Sequence, residues 1–563
     1  MWDVIRAEVR AALIGAIVAA AATLPGLGAG TLWDNSETTY GEVAREILLL
    51  RDPVVMHLNG VPWFVQPPLY FWVAAAFAKL LGTSEFALRL PSALATIVMS
   101  GVVGYVVARL ASSRAALLAA TVLATSLMQA VIGRLAIMDA LLDLAVMLAI
   151  LASFGALRTG RASWWYLAWA ALALGTLAKG PVALVVTVLV VGPWLVWERL
   201  AGGRLDPPAL PHRLGGLALF ALLIAPWAFA LWHAAGPAAF GELIGHYTVG
   251  RYLGTIENQS GPVWYYVPVV VLGFFPWFAF LVPAALAGWR EARTRPGSLA
   301  RLALVWAVVP FCFFSFAQTK LPNYVALELA AFAILVGLWF DRAVEREERR
   351  GLVLWAGLVP LTIGAVAFAI SAFSSHNRLT PELQAVSGGL LALGLVLFAG
   401  SLACALLLVR RQTASFAPFV LAGASAAAML TLALDEPRVE AFKPIPRFAA
   451  IVRRELRPGD AVAIQGVSGS SALLFYTRPE VVSLDASDDP ATGPAADLRQ
   501  LVCSSPRAFV VSARRRRAPD PAYGRERRTL AAENGDVLFL YEGPPCAGAP
   551  SPRTAGESAP TLR

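Results

Sequence analysis

Long apolar runs alternate with short polar loops over most of the chain. A helix needs about 20 apolar residues to cross the hydrocarbon core of a bilayer. By this measure the sequence predicts thirteen spans, near residues 11–29, 88–108, 115–131, 140–157, 164–178, 181–198, 214–234, 264–289, 302–317, 324–341, 351–373, 387–409 and 415–434. We therefore expect a polytopic α-helical membrane protein whose membrane domain covers residues 1–434.

The polar stretch after the first span carries a helical pattern of its own. From Ser36 to Ile47 the sequence SETTYGEVAREI repeats its apolar residues at three- and four-residue spacing, which predicts a helix with one apolar side. Ser36 can cap this helix, and Glu37 lies where the helix dipole favours an anion. Two interpretations stay open: a catalytic helix at the membrane face, or an interfacial helix with a solvated acidic side.

The short apolar stretch Pro67–Leu81 decides the predicted topology. If it does not cross the membrane, six arginine-bearing loops lie on the same side as the N-terminus; if it crosses, all six move to the opposite side. Cytoplasmic loops are rich in arginine and lysine. We therefore predict a cytoplasmic N-terminus, a first external loop over residues 30–87 in which Pro67–Leu81 is juxtamembrane or re-entrant, and an extracytoplasmic region after Leu434.

Composition and charge narrow the class of protein. With 58% hydrophobic and 15% charged residues, the chain does not have the composition of a soluble enzyme. The net charge of +9 does not indicate a nucleic-acid partner, because the basic residues lie mostly in short loops between apolar runs. The four cysteines form no CxxC motif and no cluster with histidine, so the sequence predicts no metal site. It leaves open whether Cys503 and Cys546 form a disulfide.

From Asp435 the composition becomes that of a soluble domain, which we place at residues 435–546, followed by a disordered tail over 547–563. Short strands alternate with helices, which predicts a small α/β domain. The predicted strands are Ala461–Ile464, Val481–Leu484, Ala508–Val511 and Val537–Tyr541, and the predicted helices are Ser470–Phe475 and Ala495–Val502. The loop GVSGSS between the first strand and helix matches no nucleotide-binding motif.

The predicted topology brings ionisable residues from several span ends to the external face. Such groups are costly in a membrane and usually functional, so we expect them to line an active-site cavity. Asp139 and Asp143, at i and i+4, should share a helix face that points to the protein interior. Simpler roles stay open. Asp139 could cap its helix, and Asp143 could pair with Arg134. Lys179 could extend to the membrane interface, and His246 could be a structural hydrogen-bonding group.

Eight segments of the chain carry recognisable motifs. They are SETTYGEVAREI (Ser36–Ile47), VQPPLYFW (Val65–Trp72), GRLAIMDALL (Gly133–Leu142), LAKGPVAL (Leu177–Leu184), HYTVGRYLG (His246–Gly254), PVWYYVPVVVLGFFPW (Pro262–Trp277), TKLPNYVAL (Thr319–Leu327) and LLFYTRPEVV (Leu473–Val482). In this order they resemble the polyprenyl-phosphate-sugar-dependent glycosyltransferases of the GT-C type. The resemblance is greatest to the aminoarabinose (lipid A) transferase-like branch, with protein O-mannosyltransferases as relatives.

The resemblance implies a GT-C membrane fold and sugar transfer at the extracytoplasmic face of a bacterial inner membrane. The donor would be a polyprenyl-phosphate sugar, and the acceptor a lipid A-like glycolipid or another envelope glycan. One carboxylate would take the proton of the attacking acceptor, so we expect inversion at the sugar carbon. Cations would neutralise the leaving phosphate, so that no metal or other cofactor is required.

The resemblance also implies roles for individual residues. Glu37 or Asp34 is expected to be the general base, with Asp139 as a supporting carboxylate. The donor phosphate is expected to bind Arg251 and Lys320, helped by Lys179 and the hydroxyl of Tyr324. The remaining predicted cavity residues are Tyr40, Gln66, Arg134 and His246.

Two positions depart from the family pattern. Ser36 stands where the family has an aspartate, which leaves the choice of base between Glu37 and Asp34. Gln66 stands where the family commonly has a lysine that contacts the lipid phosphate, so other cations must hold that group.

Two other functions share some of these features. Protein O-mannosylation would use the same class of donor and differ in the acceptor. A lipid-linked sugar transporter or flippase would also gather charges in a membrane cavity, but it should show paired repeats or broken helices in both halves, and the sequence has no visible repeat. The sequence leaves the sugar, the acceptor and the oligomeric state open.

Overall fold

The computed structural model describes residues 6–33, 36–254, 259–345, 366, 381–409, 417–466, 470–477, 480–484, 498–513, 525–533 and 536–543. The chain divides into two compact units. The membrane unit comprises Met1–Ala29 and Phe64–Glu436, and the mixed unit comprises Gly30–Trp63 and Pro437–Arg563.

Helices dominate the chain up to residue 455, and most of the strands lie after that residue. The α-helices are α1 (Ala7–Thr23), α2 (Glu37–Leu50), α3 (Leu69–Leu81), α4 (Glu85–Leu110), α5 (Ser113–Ala124), α6 (Leu127–Ile132), α7 (Asp139–Thr159), α8 (Ala162–Lys179), α9 (Val182–Leu200), α10 (Leu210–Phe240), α11 (Arg251–Leu253), α12 (Tyr266–Gly273), α13 (Leu281–Thr294), α14 (Leu299–Phe316), α15 (Leu329–Glu345), α16 (Pro381–Val409), α17 (Ala417–Val439), α18 (Pro444–Glu455), α19 (Ser470–Thr477) and α20 (Leu498–Ser504). The strands are β1 (His57–Leu58), β2 (Val61–Pro62), β3 (Ala461–Gln465), β4 (Val481–Ser483), β5 (Ala508–Ala513), β6 (Glu526–Glu533) and β7 (Asp536–Glu542).

The membrane unit is helical, as predicted. Among the described residues, seven helices are long and apolar enough to cross a membrane, or eight if the bent pair Val263–Gly273 and Trp277–Thr294 forms one span. The predicted count of thirteen is therefore not confirmed, although helices occupy each predicted span within the described residues. The predicted span 351–373 lies outside the described residues, apart from residue 366. Helix α3 has 13 residues, a length of about 20 Å, which is too short to cross the bilayer core.

Small residues let the first helices of the membrane unit approach closely. A Cβ atom added to Gly104 of α4 would lie 2.6 Å from the carbonyl oxygen of Ala11 in α1. One added to Gly15 of α1 would lie 2.7 Å from the Cβ of Ala120 in α5. Since lipid tails are as apolar as leucine, such close packing of small residues is a main source of attraction between membrane helices.

Two arginines bind the last carbonyl of α1 and the carbonyls of the turn that follows it. Arg89 donates to the carbonyl oxygens of Leu27 and Ala29. Arg134 donates to those of Thr23, Pro25 and Gly26. A helix leaves its last four carbonyl groups without partners and carries partial negative charge at that end. Both cations therefore stabilise the turn after α1.

The C-terminal part of the mixed unit is the predicted α/β domain. Its sheet has the strand order β4-β3-β5-β7-β6, in which β3 pairs in parallel with β4 and β5, and β7 pairs antiparallel with β5 and β6. The four predicted strands and both predicted helices are confirmed within a few residues, although 495–497 lie outside the described residues. Strand β6 was not predicted, because it is an edge strand whose charged residues (ERRTLAAE) mask its strand pattern.

The first-loop residues Gly30–Trp63 belong to the mixed unit. Strands β1 and β2 form a hairpin whose turn residues Asn59 and Gly60 have φ angles of 58° and 74°, the left-handed values that such a two-residue turn requires. The Asn59 side chain donates to the carbonyl of Val481 at 2.9 Å and accepts from its amide at 3.2 Å. Asn59 therefore attaches the hairpin to β4. The compact units thus divide the chain differently from the predicted domains.

Candidate active site

The membrane unit contains a cavity of about 280 Å³, near the small end of the range for ligand sites. The segment before α3, helices α7 to α9, the region 243–253, the end of α14 and the turn before α15 contribute to its wall. Most of the wall is apolar. The polar side chains in it are those of Gln66, Asp139, Asp143, Lys179, Tyr247, Tyr252, Asn323 and Tyr324.

A charged group of three residues lies in this wall. The Lys179 Nζ and the Asn323 Nδ2 both donate to Asp139 Oδ1, each at 2.6 Å. The Lys179 ammonium also lies 5.8 Å from the centre of the Tyr324 ring. The cavity wall therefore brings Asn323 together with four of the predicted site residues, which are Gln66, Asp139, Lys179 and Tyr324.

The order of the helices explains how Asp139 and Lys179 meet. Helices α7 and α8 are joined by a short connection, so they run antiparallel and the first residue of α7 lies beside the last residue of α8. A carboxylate at a helix N-terminus and an ammonium at a helix C-terminus are each stabilised by the helix dipole. Gly180, with a φ angle of 72°, ends α8 directly after Lys179.

The simpler roles considered for these residues do not match the geometry. Asp139 makes no capping hydrogen bond, because Met138 is the N-cap residue and the Asp139 carboxylate is used by Lys179 and Asn323. Lys179 is paired with Asp139, and only 13% of its side chain is exposed. Asp143 lines the cavity, whereas Arg134 donates to carbonyl groups at and after the end of α1. Arg134 is not part of the cavity wall.

Lys320 differs from Lys179 in its surroundings. It is buried, and its ammonium donates to the carbonyl oxygens of Phe314 at 3.2 Å and Ser315 at 2.5 Å. It does not belong to the cavity wall, and burial lowers its pKa. These two carbonyls lie in the last turn of α14, where helix carbonyls need partners. The geometry therefore favours Lys179 over Lys320 as the cation nearest a ligand in the cavity.

The segment HYTVGRYLG contributes to the cavity through its aromatic residues. Tyr247 and Tyr252 line the wall. Neither was predicted, because His246 and Arg251 were the only residues selected from this segment. His246 is exposed and packs against the ring of Tyr247. Arg251 begins α11, and its side chain lies outside the described parts of the structure.

The first-loop helix α2 belongs to the mixed unit. Ser36 is its N-cap residue as predicted, but its side chain makes no capping hydrogen bond. Instead, the buried Glu37 carboxylate accepts from the Trp33 amide at 2.9 Å. Tyr40 packs edge-on against Trp63. Asp34 lies outside the described residues, so the choice of base between Glu37 and Asp34 stays a prediction.

Two further carboxylates of α2 are buried beside the hairpin. Glu42 forms an ion pair with Arg45. Glu46 accepts from the amide of Gly60 at 3.1 Å. Burial, followed by the nearby negative charge of Glu42, raises the pKa of Glu46 to about 7. The Glu46 carboxyl group can therefore change its protonation state near neutral pH.

Comparison with known proteins identifies relatives that match most of the chain. The family described as dolichyl-phosphate-mannose-protein mannosyltransferase matches residues 65–232. An undecaprenyl phosphate-alpha-4-amino-4-deoxy-L-arabinose arabinosyl transferase from Aeromonas salmonicida is 30% identical over 469 residues, which cover 80% of this chain and 82% of that protein. One from Aeromonas hydrophila is 31% identical over 382 residues, covering 66% and 67%.

A solved structure shares the fold. ArnT from Cupriavidus metallidurans, determined bound to undecaprenyl phosphate, superposes with a TM-score of 0.80 at 23% sequence identity. The match covers 94% of this chain and 97% of that chain. The helical membrane unit and the small C-terminal sheet therefore both belong to a known architecture.

Proposed function

This chain belongs to the family of undecaprenyl phosphate-alpha-4-amino-4-deoxy-L-arabinose arabinosyl transferases, and we propose that it moves an amino sugar of that kind from a polyprenyl-phosphate donor to an envelope acceptor. It is a membrane glycosyltransferase of the GT-C type. The acceptor that we propose is a lipid A-like glycolipid. A pentose is small enough to fit in a cavity of about 280 Å³.

The observation that best supports this proposal is the charged group in the cavity wall. Lys179 is held at the cavity by Asp139, so a donor phosphate entering there meets an ammonium that is already positioned. Tyr324 lies in the same wall and offers a hydroxyl donor. Preorganised cations and donors of this kind stabilise the charge that develops on a leaving phosphate.

The reaction that we propose is a single displacement. The acceptor hydroxyl oxygen attacks C1 of the sugar while the bond between C1 and the phosphate oxygen breaks. The bonding electrons leave with the lipid phosphate, the hydroxyl proton passes to a carboxylate, and C1 is inverted. Resemblance to the family assigns that carboxylate to Glu37 or Asp34, and Asp139 supports the reaction by holding Lys179.

A strain that lacks this protein is expected to lose a lipid species that carries one amino-pentose. Mass spectrometry of extracted envelope lipids, compared with the parent strain, measures this loss. Wild-type protein should restore the species, whereas an Asp139→Asn variant expressed at the same level should restore much less. Protein O-mannosylation is the second candidate, favoured by the match over residues 65–232. Unchanged lipids together with loss of protein-linked sugar would select that candidate.

We propose that the N-terminus is cytoplasmic and that the region from Pro437 onward is extracytoplasmic, with Pro67–Leu81 not crossing. The support is the one-sided distribution of loop arginines together with the shortness of α3. Reporter enzymes that are active only outside the inner membrane should be active when fused after Gly82 and after Pro437. A fusion after Gly160, between α7 and α8, is the matched control and should be inactive. Reporter activity at only one of the two fusion sites, Gly82 or Pro437, would refute this topology.

A further inference from the structure

Asp143 is an acidic side chain in the cavity wall that the proposed reaction does not use. It lies one helical turn after Asp139 on α7 and lines the same cavity. Only 3% of the residue is exposed, and its Oδ2 atom has no hydrogen-bond partner among the described residues. An ionisable group buried in a membrane protein without a partner is costly and usually marks a functional site.

The cavity wall holds more acidic than basic side chains. Among the described residues of the wall, the acidic ones are Asp139 and Asp143 and the basic one is Lys179. Lys179 is paired with Asp139, whose Oδ1 also accepts from Asn323. One carboxylate is therefore left over. A ligand that brought only a negative phosphate would meet this carboxylate at an energetic cost, whereas a ligand with both a phosphate and a cation would satisfy both ends of the cavity.

We propose that Asp143 binds the ammonium group of the donor sugar and thereby selects donors that carry a free amine. This inference rests on the proposed function and adds a residue that determines specificity. A 4-amino pentose linked through C1 to phosphate carries opposite charges on opposite sides of its ring. Asp139, which holds Lys179, and Asp143 are four residues apart on α7, a rise of about 6 Å. That spacing is comparable with the distance across a pentose ring, so phosphate at Lys179 leaves the amine beside Asp143.

Glu328 provides a matched control. It is 1% exposed, both of its carboxylate oxygens lack hydrogen-bond partners among the described residues, and it is an electrostatic neighbour of Asp143. Unlike Asp143, it is not part of the cavity wall. If Asp143 serves only to share a proton with Glu328, removing either carboxylate should have the same effect. If Asp143 contacts the sugar, only its own replacement should change the choice of donor.

The test uses the full-length protein in detergent and two donors on the same lipid phosphate. One donor carries 4-amino-4-deoxy-L-arabinose, and the other carries L-arabinose, in which a neutral hydroxyl replaces the ammonium. Equilibrium binding of each is measured for wild type, Asp143→Asn and Glu328→Gln. Wild type should bind the amino donor at least about 30-fold more tightly. Asp143→Asn should lose most of this preference and bind the arabinose donor at least as tightly as wild type does, because the carboxylate that opposes the phosphate is gone. Retained binding also shows that the variant is folded. Glu328→Gln should keep the preference.

The outcomes separate this inference from the proposed function. Equal binding of both donors by wild type, or an unchanged preference in Asp143→Asn, overturns the inference. Loss of the preference in Glu328→Gln to the same extent also overturns it, in favour of the shared proton. Transfer of the amino sugar to an acceptor glycolipid is measured separately with wild type. Absent transfer would count against the proposed function, while the binding preference would still decide the role of Asp143.

Discussion

Replacing Lys179 with methionine is expected to weaken binding of the polyprenyl-phosphate donor at least tenfold, whereas the same replacement of Lys320 should change it little. Truncating one partner of a buried charge contact typically costs about 2–5 kcal/mol. Lys179 lines the cavity, where its ammonium can meet a phosphate. The Lys320 ammonium is used by two carbonyls of α14 and lies outside the cavity wall. Equilibrium binding of the donor at fixed ionic strength measures both effects.

Removing Lys179 also leaves the Asp139 carboxylate without its ion pair, so a control must separate this effect from the loss of a phosphate contact. The double variant Lys179→Met with Asp139→Asn removes both charges at once. If the phosphate contacts Lys179, the double variant should bind the donor as weakly as Lys179→Met. Recovery of donor binding in the double variant would show instead that the unpaired carboxylate caused the loss. If Lys320→Met strongly weakens donor binding, the donor phosphate contacts Lys320, as the family resemblance implied.

The pairing of Asp139 with Lys179 follows from features that the sequence contains. Two apolar runs joined by a short loop predict antiparallel helices, and these residues lie at the outer ends of those runs, so they must be neighbours. The role of Lys320 could not be obtained in the same way. A sequence shows that a cation lies near a helix end, but not whether the unpaired carbonyls of that end, here those of Phe314 and Ser315, have already taken its hydrogen bonds.

The packing of the first loop was even less predictable from the sequence. The hydrogen bonds between Asn59 and Val481 join residues that are 422 positions apart. The Asn-Gly turn of the hairpin is a local signal that the sequence carries, but no local pattern names the strand to which it attaches. Uncharged cavity residues such as Tyr247 and Tyr252 were missed for a different reason. Aromatic residues are common in membrane helices, so their type alone does not separate a cavity wall from a lipid-facing surface.

Glu37→Gln is expected to lower turnover at least about 10²-fold while binding of the polyprenyl-phosphate donor survives. Glu37 keeps the register of the family motif in the first loop, where Ser36 replaces the aspartate. Its carboxylate accepts from the Trp33 amide in the turn before α2. Glutamine retains a carbonyl oxygen that can accept the same hydrogen bond, so the local fold should persist. What glutamine lacks is the ability to take a proton from the acceptor hydroxyl.

Asp34→Asn is the matched comparison, since it removes a carboxylate three residues upstream by the same chemical change. Single-turnover transfer rates and donor affinity are measured for both variants, with thermal unfolding to confirm that each is folded. We expect Asp34→Asn to slow transfer less than Glu37→Gln, because Glu37 and not Asp34 keeps the family register. Normal transfer by Glu37→Gln with slow transfer by Asp34→Asn would move the base to Asp34. If both variants transfer normally, the first-loop carboxylates have only a structural role, and the base must be sought around Asp139, which already lies in the cavity wall.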